Sequence, residues 1–305
     1  MTEYDYLIAG GGPAGAVTAY CLQKKGARCL IIEKRNEIDE KTCGGLLPWS
    51  GVAALSHIGL DPSELLECGA TEIRSFIYIR NGQTTIHRYH SSEYGLGIRR
   101  KLLDQWLLDH AVSNGTDLMM GISLRQIVSE NGVLKLQDIR AKHLVIATGA
   151  AGCIQKGFSI RTKQSFGLSV QITGSTSLQQ DSVYFFSIGE NGFDYVWAIP
   201  NGGQIWNIGI WFQTIPDNAL TQFHTHYQSI LEQYFTDITV ARPVRGAFCG
   251  NVRTSVYPSA ECAFVGDAAG TNDRNTGEGL RQAIESAIQF SECGVFQRNP
   301  AKYDM

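Results

Sequence analysis

The sequence predicts an α/β fold in which a parallel-sheet domain carries an inserted, mainly antiparallel β-sheet domain. Residues 6–9 form a short apolar run, typical of a buried strand, that precedes a glycine-rich turn and a helix-like segment at 16–25. Residues 263–265 form a second such run near the other end of the chain, and glycines follow it as well. Between the two, residues 166–248 are rich in aromatic residues and alternate with period two, which is typical of an antiparallel sheet with one covered face.

The N-terminal glycines have the G-x-G-x-x-G spacing of a dinucleotide-binding turn. Gly10, Gly12 and Gly15 lie between the predicted strand and the predicted helix, which is the context that this motif requires. Gly10 permits a tight turn, Gly12 leaves room for a pyrophosphate, and Gly15 lets the helix lie close to the strand. Pro13 suits the first helical turn. The free N–H groups and the helix dipole there favour an anionic group.

An acidic residue follows the second predicted strand, residues 28–32. Glu33 stands about twenty positions after the fingerprint, where a carboxylate accepts hydrogen bonds from an adenosine ribose. The same carboxylate would repel a 2′-phosphate. The first fingerprint is therefore expected to hold FAD or NAD rather than NADP, and by itself it leaves the choice between those two open.

The elements between the fingerprints follow from turn signals and apolar spacing. Asn81-Gly82 is a strong turn dipeptide and predicts a hairpin. Residues 98–113 have apolar residues at helical spacing, with Arg100 and Asp104 one turn apart. The other elements are expected as strands at 72–80, 83–89, 118–122, 124–128, 133–136, 144–147, 166–173, 182–188, 194–199 and 204–212, and as helices at 220–234 and 279–292.

The parallel-sheet domain is expected to be discontinuous, because its last strand and helix follow the aromatic segment. We predict a nucleotide-binding domain of residues 1–70, 95–165 and 250–293. The pieces between form a sheet-rich substrate domain of residues 71–94 and 166–249. Residues 294–305 are expected to be a short C-terminal tail.

Composition limits the partners of the protein. The chain of 305 residues is 43% hydrophobic and 18% charged with a net charge of −3, so nothing favours binding to nucleic acid or to an anionic membrane. No apolar stretch has the length that spans a bilayer, and the N-terminus does not have the pattern of a signal peptide. The eight cysteines lack C-x-x-C spacing and His224-x-His226 lacks metal-site spacing, so we expect reduced thiols, no metal and a cytoplasmic location.

The second fingerprint decides between the two dinucleotides. Asp267 follows the predicted strand 263–265, and Gly277-Glu278-Gly279 opens a predicted helix. A carboxylate at this position can accept hydrogen bonds from a ribityl hydroxyl, and the helix dipole favours the negative charge that a reduced flavin carries. NAD has no part that would occupy such a site, whereas FAD has. The sequence therefore predicts FAD.

These stretches resemble the FAD-dependent oxidoreductases of the p-hydroxybenzoate hydroxylase type, and among them the geranylgeranyl reductase family. The resemblance covers most of the chain and implies a Rossmann-like FAD-binding domain with an inserted substrate domain. Besides the two fingerprints and the Arg100 helix, its most specific pieces are the stretches Lys41-Thr42-Cys43-Gly44-Gly45 and Tyr195-Val196-Trp197-Ala198-Ile199-Pro200.

The resemblance implies how FAD is held. The first fingerprint with Glu33 would bind the ADP half, Arg100 would contact the pyrophosphate, and Leu124 would meet the adenine through its backbone. Cys43 and its neighbour would lie beside the flavin, and Asp267 with the following helix would hold the ribityl chain and the ring. The residues expected to contact FAD are Gly10, Gly12, Ala14, Gly15, Glu33, Lys34, Cys43, Gly44, Arg100, Leu124, Asp267, Gly277, Gly279 and Leu280.

Two residues are candidates for a catalytic role. Cys43 is a candidate proton donor, and the alternative is that it only packs beside the cofactor, because no base that would activate it is visible in the sequence. Arg274 stands where the family has a proline. A cation there could bind an anionic substrate group or stabilise reduced flavin, and a surface arginine in a polar loop is the alternative.

Thr148-Gly149 replaces an Asp-Gly pair of the hydroxylases, which argues against their NADPH contact.

Tyr195 and Trp197 are candidates for substrate binding. They project to the same side of a predicted strand and could line a cavity. Aromatic residues in alternation more often pack in a core, and this is the favoured alternative for both.

The leading hypothesis is an FAD-dependent oxidoreductase that reduces a carbon–carbon double bond of an isoprenoid-like or other apolar substrate. Reduced flavin N5 would deliver hydride, and NAD(P)H or another donor would reduce the flavin in a transient encounter. A flavin-dependent monooxygenase or halogenase acting on an aromatic small molecule is the second hypothesis, because the 195–200 stretch is similar to W-x-W-x-I-P of flavin halogenases. A degenerate flavin-fold binding protein is the third.

Overall fold

The computed structural model describes residues 2–130, 133–151, 154–155, 158–159, 162–188, 194–253, 262–273 and 275–293. Its helices are α1 (Pro13–Lys24), α2 (Trp49–His57), α3 (Glu64–Glu67), α4 (Arg100–Ser113), α5 (Ala219–Tyr234) and α6 (Leu280–Cys293). Its strands are β1 (Thr2–Ala9), β2 (Cys29–Glu33), β3 (Leu46–Leu47), β4 (Thr71–Ile73), β5 (Ser75–Arg80), β6 (Gln83–Arg88), β7 (Gly95–Gly97), β8 (Asp117–Met120), β9 (Val128–Glu130), β10 (Val133–Leu136), β11 (Ile139–Ile146), β12 (Ile154–Gln155), β13 (Phe158–Ser159), β14 (Thr162–Thr176), β15 (Ser182–Ile188), β16 (Asp194–Pro200), β17 (Ile205–Phe212), β18 (Phe235–Arg253) and β19 (Cys262–Phe264).

The first large sheet is parallel at its centre. Its order is β8-β2-β1-β11-β10-β9, and β19 also pairs with β11. The pairs that β1, β2, β8, β11 and β19 form with one another are parallel, and β10 and β9 extend the sheet in antiparallel fashion. Every residue of β2 is buried, which fits a strand covered on both faces. Helices α1, α4 and α6 cover one face and share a core with the sheet, in which Val17, Leu103 and Ile284 meet Ile31 and Val145.

The second large sheet is antiparallel except at one pair. Its order is β18-β14-β17-β16-β15-β5-β6, and β15 and β5 run parallel. Alternation along β16 separates two faces: Val196 and Ala198 join a core with Phe223 of α5, whereas Tyr195 and Trp197 belong to the opposite face. The parallel sheet with helices and the separate antiparallel sheet confirm the predicted fold class.

The hairpin β5–β6 turns at Asn81 and Gly82, both with positive φ, as the dipeptide predicts. A strand predicted at 124–128 is wrong in its first half, because residues 124–126 form a 3₁₀ turn. Gln126 donates its N–H to the carbonyl of Ser123, and the side-chain amide of Gln126 accepts a hydrogen bond from the Ser123 N–H. This local side-chain to backbone pairing competes with the strand.

The second sheet extends beyond the segment that the aromatic pattern marks. Strand β14 begins at Thr162 and β18 continues to Arg253, and the two pair along most of their length. Two short sheets complete the arrangement, β3-β7-β4 and β12-β13. Among the described residues, no helix is long and apolar enough to cross a membrane.

Candidate functional site

The two fingerprints line one cavity of about 1480 Å³. The turn after β1 forms one wall, the turn before α6 forms another, and one face of the second sheet forms the floor. Both fingerprints follow strands of the first sheet that pair with β11, so their C-terminal ends meet at the same edge. Of the residues expected to contact FAD, those that line the cavity are Gly10, Gly12, Ala14, Glu33, Lys34, Cys43, Gly44, Arg100, Asp267, Gly277, Gly279 and Leu280.

The glycines of the first fingerprint stand where the backbone comes close to other backbone or to the open cavity. Gly10 has φ +117°, and a Cβ there or at Gly15 would collide with backbone, at Ala147 O and Gly10 O respectively. Gly15 therefore lies behind the turn and supports it, while Gly12 faces open space. A Cβ at Gly12 would meet only the Nζ of Lys41 within 4 Å, at 3.1 Å. Helix α1 begins after Gly12 without a side-chain cap, so its first N–H groups are available to a phosphate.

Glu33 is held by backbone donors at the cavity wall. Its Oε2 accepts a hydrogen bond from Gly11 N at 2.9 Å, and its Oε1 accepts one from Arg35 N at 3.1 Å. The residue is 6% exposed and lines the cavity. Each carboxylate oxygen keeps a further lone pair. The arrangement suits two vicinal hydroxyl donors of a ribose.

A buried carboxylate joins two cations beside Gly12. Asp104 of α4 is fully buried; its Oδ2 lies 2.5 Å from Lys41 Nζ and its Oδ1 lies 2.9 Å from Arg100 Nη2. Burial lowers the pKa of Lys41 despite this carboxylate. Burial alone would lower the pKa of Arg100, but the neighbouring Asp104 raises it above its usual value. Two cations on one carboxylate leave a net positive charge, which suits a pyrophosphate.

Lys41 was not among the predicted site residues. Sixty-three positions separate it from Asp104, and no local spacing relates the two. The signal that could have found it is its place two residues before Cys43 in a stretch that the resemblance already marks.

The Cys43 turn lies at the junction of cavity and second sheet. The thiol Sγ accepts a hydrogen bond from Gly45 N at 3.4 Å, and the Arg100 guanidinium lies beside it, with Cys43 contributing to the raised pKa of Arg100. The sequence shows no cation next to this thiol, because Arg100 reaches it from the start of α4. The structure thus gives Cys43 the charged neighbour that sequence reasoning did not find.

Asp267 faces the cavity from the 3₁₀ turn Gly266–Ala269. No described residue donates a hydrogen bond to its carboxylate. Gly279 approaches it closely: a Cβ there would stand 3.3 Å from Asp267 Oδ1. Burial raises the pKa of Asp267 to about 6, and Arg100 and Lys41 only partly offset this. Leu280 begins α6 at the same wall, so a helix N-terminus and an unpartnered carboxylate adjoin each other.

We expect the stability of FAD-free protein to fall between pH 4 and pH 7 because of Asp267. A raised carboxyl pKa means that the folded state binds this proton more tightly than the unfolded chain, so the contribution is complete below the usual value of 3.8 and is lost as pH rises through about 6. The loss amounts to about 3 kcal/mol. The measurement is the free energy of unfolding against pH for wild type and Asp267→Asn. The curves should diverge above pH 4, and parallel curves would contradict the assignment.

The loop before α6 is tied to the second sheet. The Tyr195 hydroxyl donates to the carbonyl of Thr276, and a Cβ at Gly277 would press on the Trp211 ring at 2.7 Å. Inside the loop, Asp273 Oδ1 accepts hydrogen bonds from Asn275 N and Thr276 N, each at 2.8 Å. Arg274, a predicted catalytic residue, lies outside the described residues.

The remaining predicted residues are two aromatic residues of the cavity floor and Leu124. Tyr195 and Trp197 both line the cavity, and Trp197 is 8% exposed and also packs in the sheet face. Core packing and cavity lining are thus combined in one side chain. Leu124 belongs to the 3₁₀ turn 124–126, whose neighbours Ser123 and Arg125 line the cavity.

A family model described as FAD binding domain matches residues 3–291, nearly the whole chain. The chain belongs to this FAD-binding family. FAD is therefore its cofactor, as the two fingerprints predict, and the residues around the cavity fit that group. Gly12 leaves space at a helix N-terminus, and Glu33 and Asp267 offer acceptors at either end. The Thr148 hydroxyl is buried at the cavity wall and has no hydrogen-bond partner among the residues that the structure describes.

Similar proteins are reductases and other flavoenzymes. Digeranylgeranylglycerophospholipid reductase 1 of Methanococcoides burtonii is 27% identical over 325 residues, which cover 96% of this chain and 74% of that protein. A geranylgeranyl bacteriochlorophyll reductase-like protein of Thermoplasma acidophilum has a TM-score of 0.75 at 21% identity, covering 96% of this chain and 78% of its own. A flavin-dependent brominase has a TM-score of 0.76 at 17% identity, covering 99% and 83%.

These likenesses agree with the family match. The resemblance to the geranylgeranyl reductases within the p-hydroxybenzoate hydroxylase-like superfamily is confirmed. The FAD-binding protein is an FAD-dependent oxidoreductase, as predicted. The brominase shares the fold, which carries more than one chemistry.

Proposed function

We propose that the protein reduces a carbon–carbon double bond of an isoprenoid-like or other apolar substrate. The observation that carries this proposal is the continuity of the cavity, which extends from both FAD fingerprints to an aromatic sheet face. The names of similar proteins support it, since the digeranylgeranylglycerophospholipid reductases are named after a lipid with geranylgeranyl chains.

A row of aromatic rings supports an apolar substrate. Phe185 contacts Tyr195 with ring centroids 5.3 Å apart, and Tyr195 contacts Trp197 at 6.2 Å. The row continues from Phe185 to Phe76 at 6.4 Å and to Tyr78 at 5.2 Å. Rings in sequence offer a long apolar surface with little conformational entropy to lose. We expect a linear polyprenyl chain to lie along this surface.

The residues of the chain would bind and orient FAD, and one of them would protonate the substrate. When bound, FAD supplies a hydride in its reduced form and accepts electrons from a donor such as NAD(P)H. Lys41 and Arg100 would hold the pyrophosphate, and Asp267 with the N-terminus of α6 would orient the flavin end. Cys43 is our candidate for the proton that a double bond needs besides hydride, with water as the alternative. Arg274 is our candidate for an anionic group of substrate or flavin.

The expected result is that anaerobically reduced protein is reoxidised by a polyprenyl alkene. One double bond should be saturated per flavin oxidised, because hydride and proton add across it. The measurement combines flavin absorbance with mass spectrometry of the lipid, and a saturated chain of the same length serves as the control substrate. Each product should gain two mass units per reduced bond.

Two outcomes would contradict the proposal. Oxygen-dependent hydroxylation or halogenation of an aromatic compound, with no alkene turnover, would favour the monooxygenase or halogenase alternative. Protein that carries FAD and reacts with neither substrate class would favour a binding role.

A further inference from the structure

One buried amide joins the Cys43 turn to the sheet floor. Asn207 lies on β17 and is 1% exposed. Its Nδ2 donates to Cys43 O at 2.9 Å, and its Oδ1 accepts from Trp197 Nε1 at 2.8 Å. The side chain therefore spans the junction between the turn that follows β2 and the aromatic face of the second sheet.

Further hydrogen bonds fix the position of the Cys43 turn. The next two carbonyls are also bonded: Gly44 O accepts from Asn201 Nδ2 at 3.1 Å, and Gly45 O accepts from Ile98 N at 2.7 Å. Gly44 also lies against the indole, since a Cβ there would stand 3.3 Å from Trp197 Nε1. Three consecutive carbonyls are thus held by three different partners, and the first of them is held by Asn207.

We propose that Asn207 is a positioning residue that sets the separation between the Cys43 turn and the Trp197 indole. Both groups line the cavity, so this separation determines the width of the site at the place where they meet. The inference rests on the proposed function only in taking this place as the point where substrate approaches the flavin.

An amide side chain satisfies both hydrogen-bond partners at position 207. One partner is a carbonyl, which needs a donor, and the other is an indole N–H, which needs an acceptor. A carboxylate would keep the acceptor and lose the donor, and an aliphatic side chain would lose both. Either change leaves a buried polar group unpaired, which costs more than the hydrogen bond contributes when made.

The test compares Asn207→Asp and Asn207→Leu with a matched control in the FAD-loaded protein. Ile208→Ala is the control, because Ile208 is fully buried on the same strand but belongs to the core on the opposite face. This change removes packing and leaves the Cys43 turn untouched. The readouts are the rate at which iodoacetamide alkylates Cys43, read by peptide mass spectrometry, the flavin absorption spectrum, and kcat and KM separately.

Both Asn207 variants should speed alkylation of Cys43 about tenfold, the factor that one lost hydrogen bond gives. They should also shift the flavin spectrum and lower kcat more than they raise KM, with FAD content unchanged. The Ile208→Ala control should unfold at a lower temperature while alkylation and spectrum stay as in wild type.

Equal alkylation in the control and in Asn207→Leu would overturn the proposal, as would a Leu variant that leaves alkylation and spectrum unchanged. The thiol and flavin readouts need no substrate. A wild type without alkene turnover whose Cys43 still responds to Asn207 would refute the proposed reaction and support the positioning role.

Discussion

The Gly12→Val variant is expected to fold and to lose FAD. A Cβ at Gly12 meets no backbone atom within 4 Å, only the flexible end of Lys41, so the protein itself can accept the side chain. The added methyl groups would occupy the space at the N-terminus of α1 where a pyrophosphate needs to approach. Each hydrogen bond to a charged group that is lost corresponds to a loss of FAD affinity of about tenfold or more.

The measurement is the flavin content after purification together with the FAD dissociation constant of the refilled protein. Gly11→Ala is the matched control, because a Cβ at Gly11 would make an ordinary contact of 3.4 Å with Glu33 Cβ and Gly11 does not line the cavity. The control should retain FAD. Normal flavin content in folded Gly12→Val protein would refute the assignment of the first fingerprint.

The Asp104→Leu variant should destabilise the FAD-free protein by about 3–5 kcal/mol, the usual cost of removing one partner from a buried ion pair. Asp104 is the buried carboxylate shared by Lys41 and Arg100, and its removal leaves these two neighbouring cations without their common counter-ion. Denaturant unfolding of FAD-free protein measures the loss.

Two further variants test the physical reason. Lys142→Ala breaks an exposed pair with Asp5, in which the Lys142 side chain is 68% exposed, and should leave the free energy of unfolding nearly unchanged because water screens such a pair. Adding Lys41→Met to Asp104→Leu removes one of the stranded charges and should recover part of the loss. Saturating FAD should also reduce the loss, since its pyrophosphate supplies negative charge. A double variant that is no more stable than Asp104→Leu would contradict the electrostatic account.

Features of the site that depend on local sequence could be predicted. The spacing of Gly10, Gly12 and Gly15 between an apolar run and a helix-like segment implies a strand, a tight turn and a helix, and the closest of these contacts, Gly15 against Gly10 O, is local. The meeting of the second fingerprint with the first was likewise predictable, since Asp267 and Gly279 stand at the ends of elements with clear apolar patterns and both line the cavity. Their role in binding FAD stays a prediction.

Features that depend on distant pairing could not be predicted. Lys41 reaches Asp104, Arg100 reaches Cys43, and Asn207 reaches Cys43 across 164 positions, and none of these contacts has a periodicity or motif. They arise because two sheets and one helix bring their ends to the same cavity. The 3₁₀ turn at 124–126 was missed for a different reason, a side-chain amide that closes a turn within four residues.

The pairing of β11 with both β1 and β19 has a consequence for how the protein is made. Strand β19 and helix α6 come more than 110 residues after β11, yet they complete the sheet and cover α1. A chain emerging from the ribosome would therefore show an unfinished apolar edge and half of its cofactor site until β19 and α6 have been synthesised. Contacts of such long sequence separation slow folding. FAD can contact both fingerprints only after α6 has docked, so cofactor supply acts on a folding step that follows the synthesis of α6.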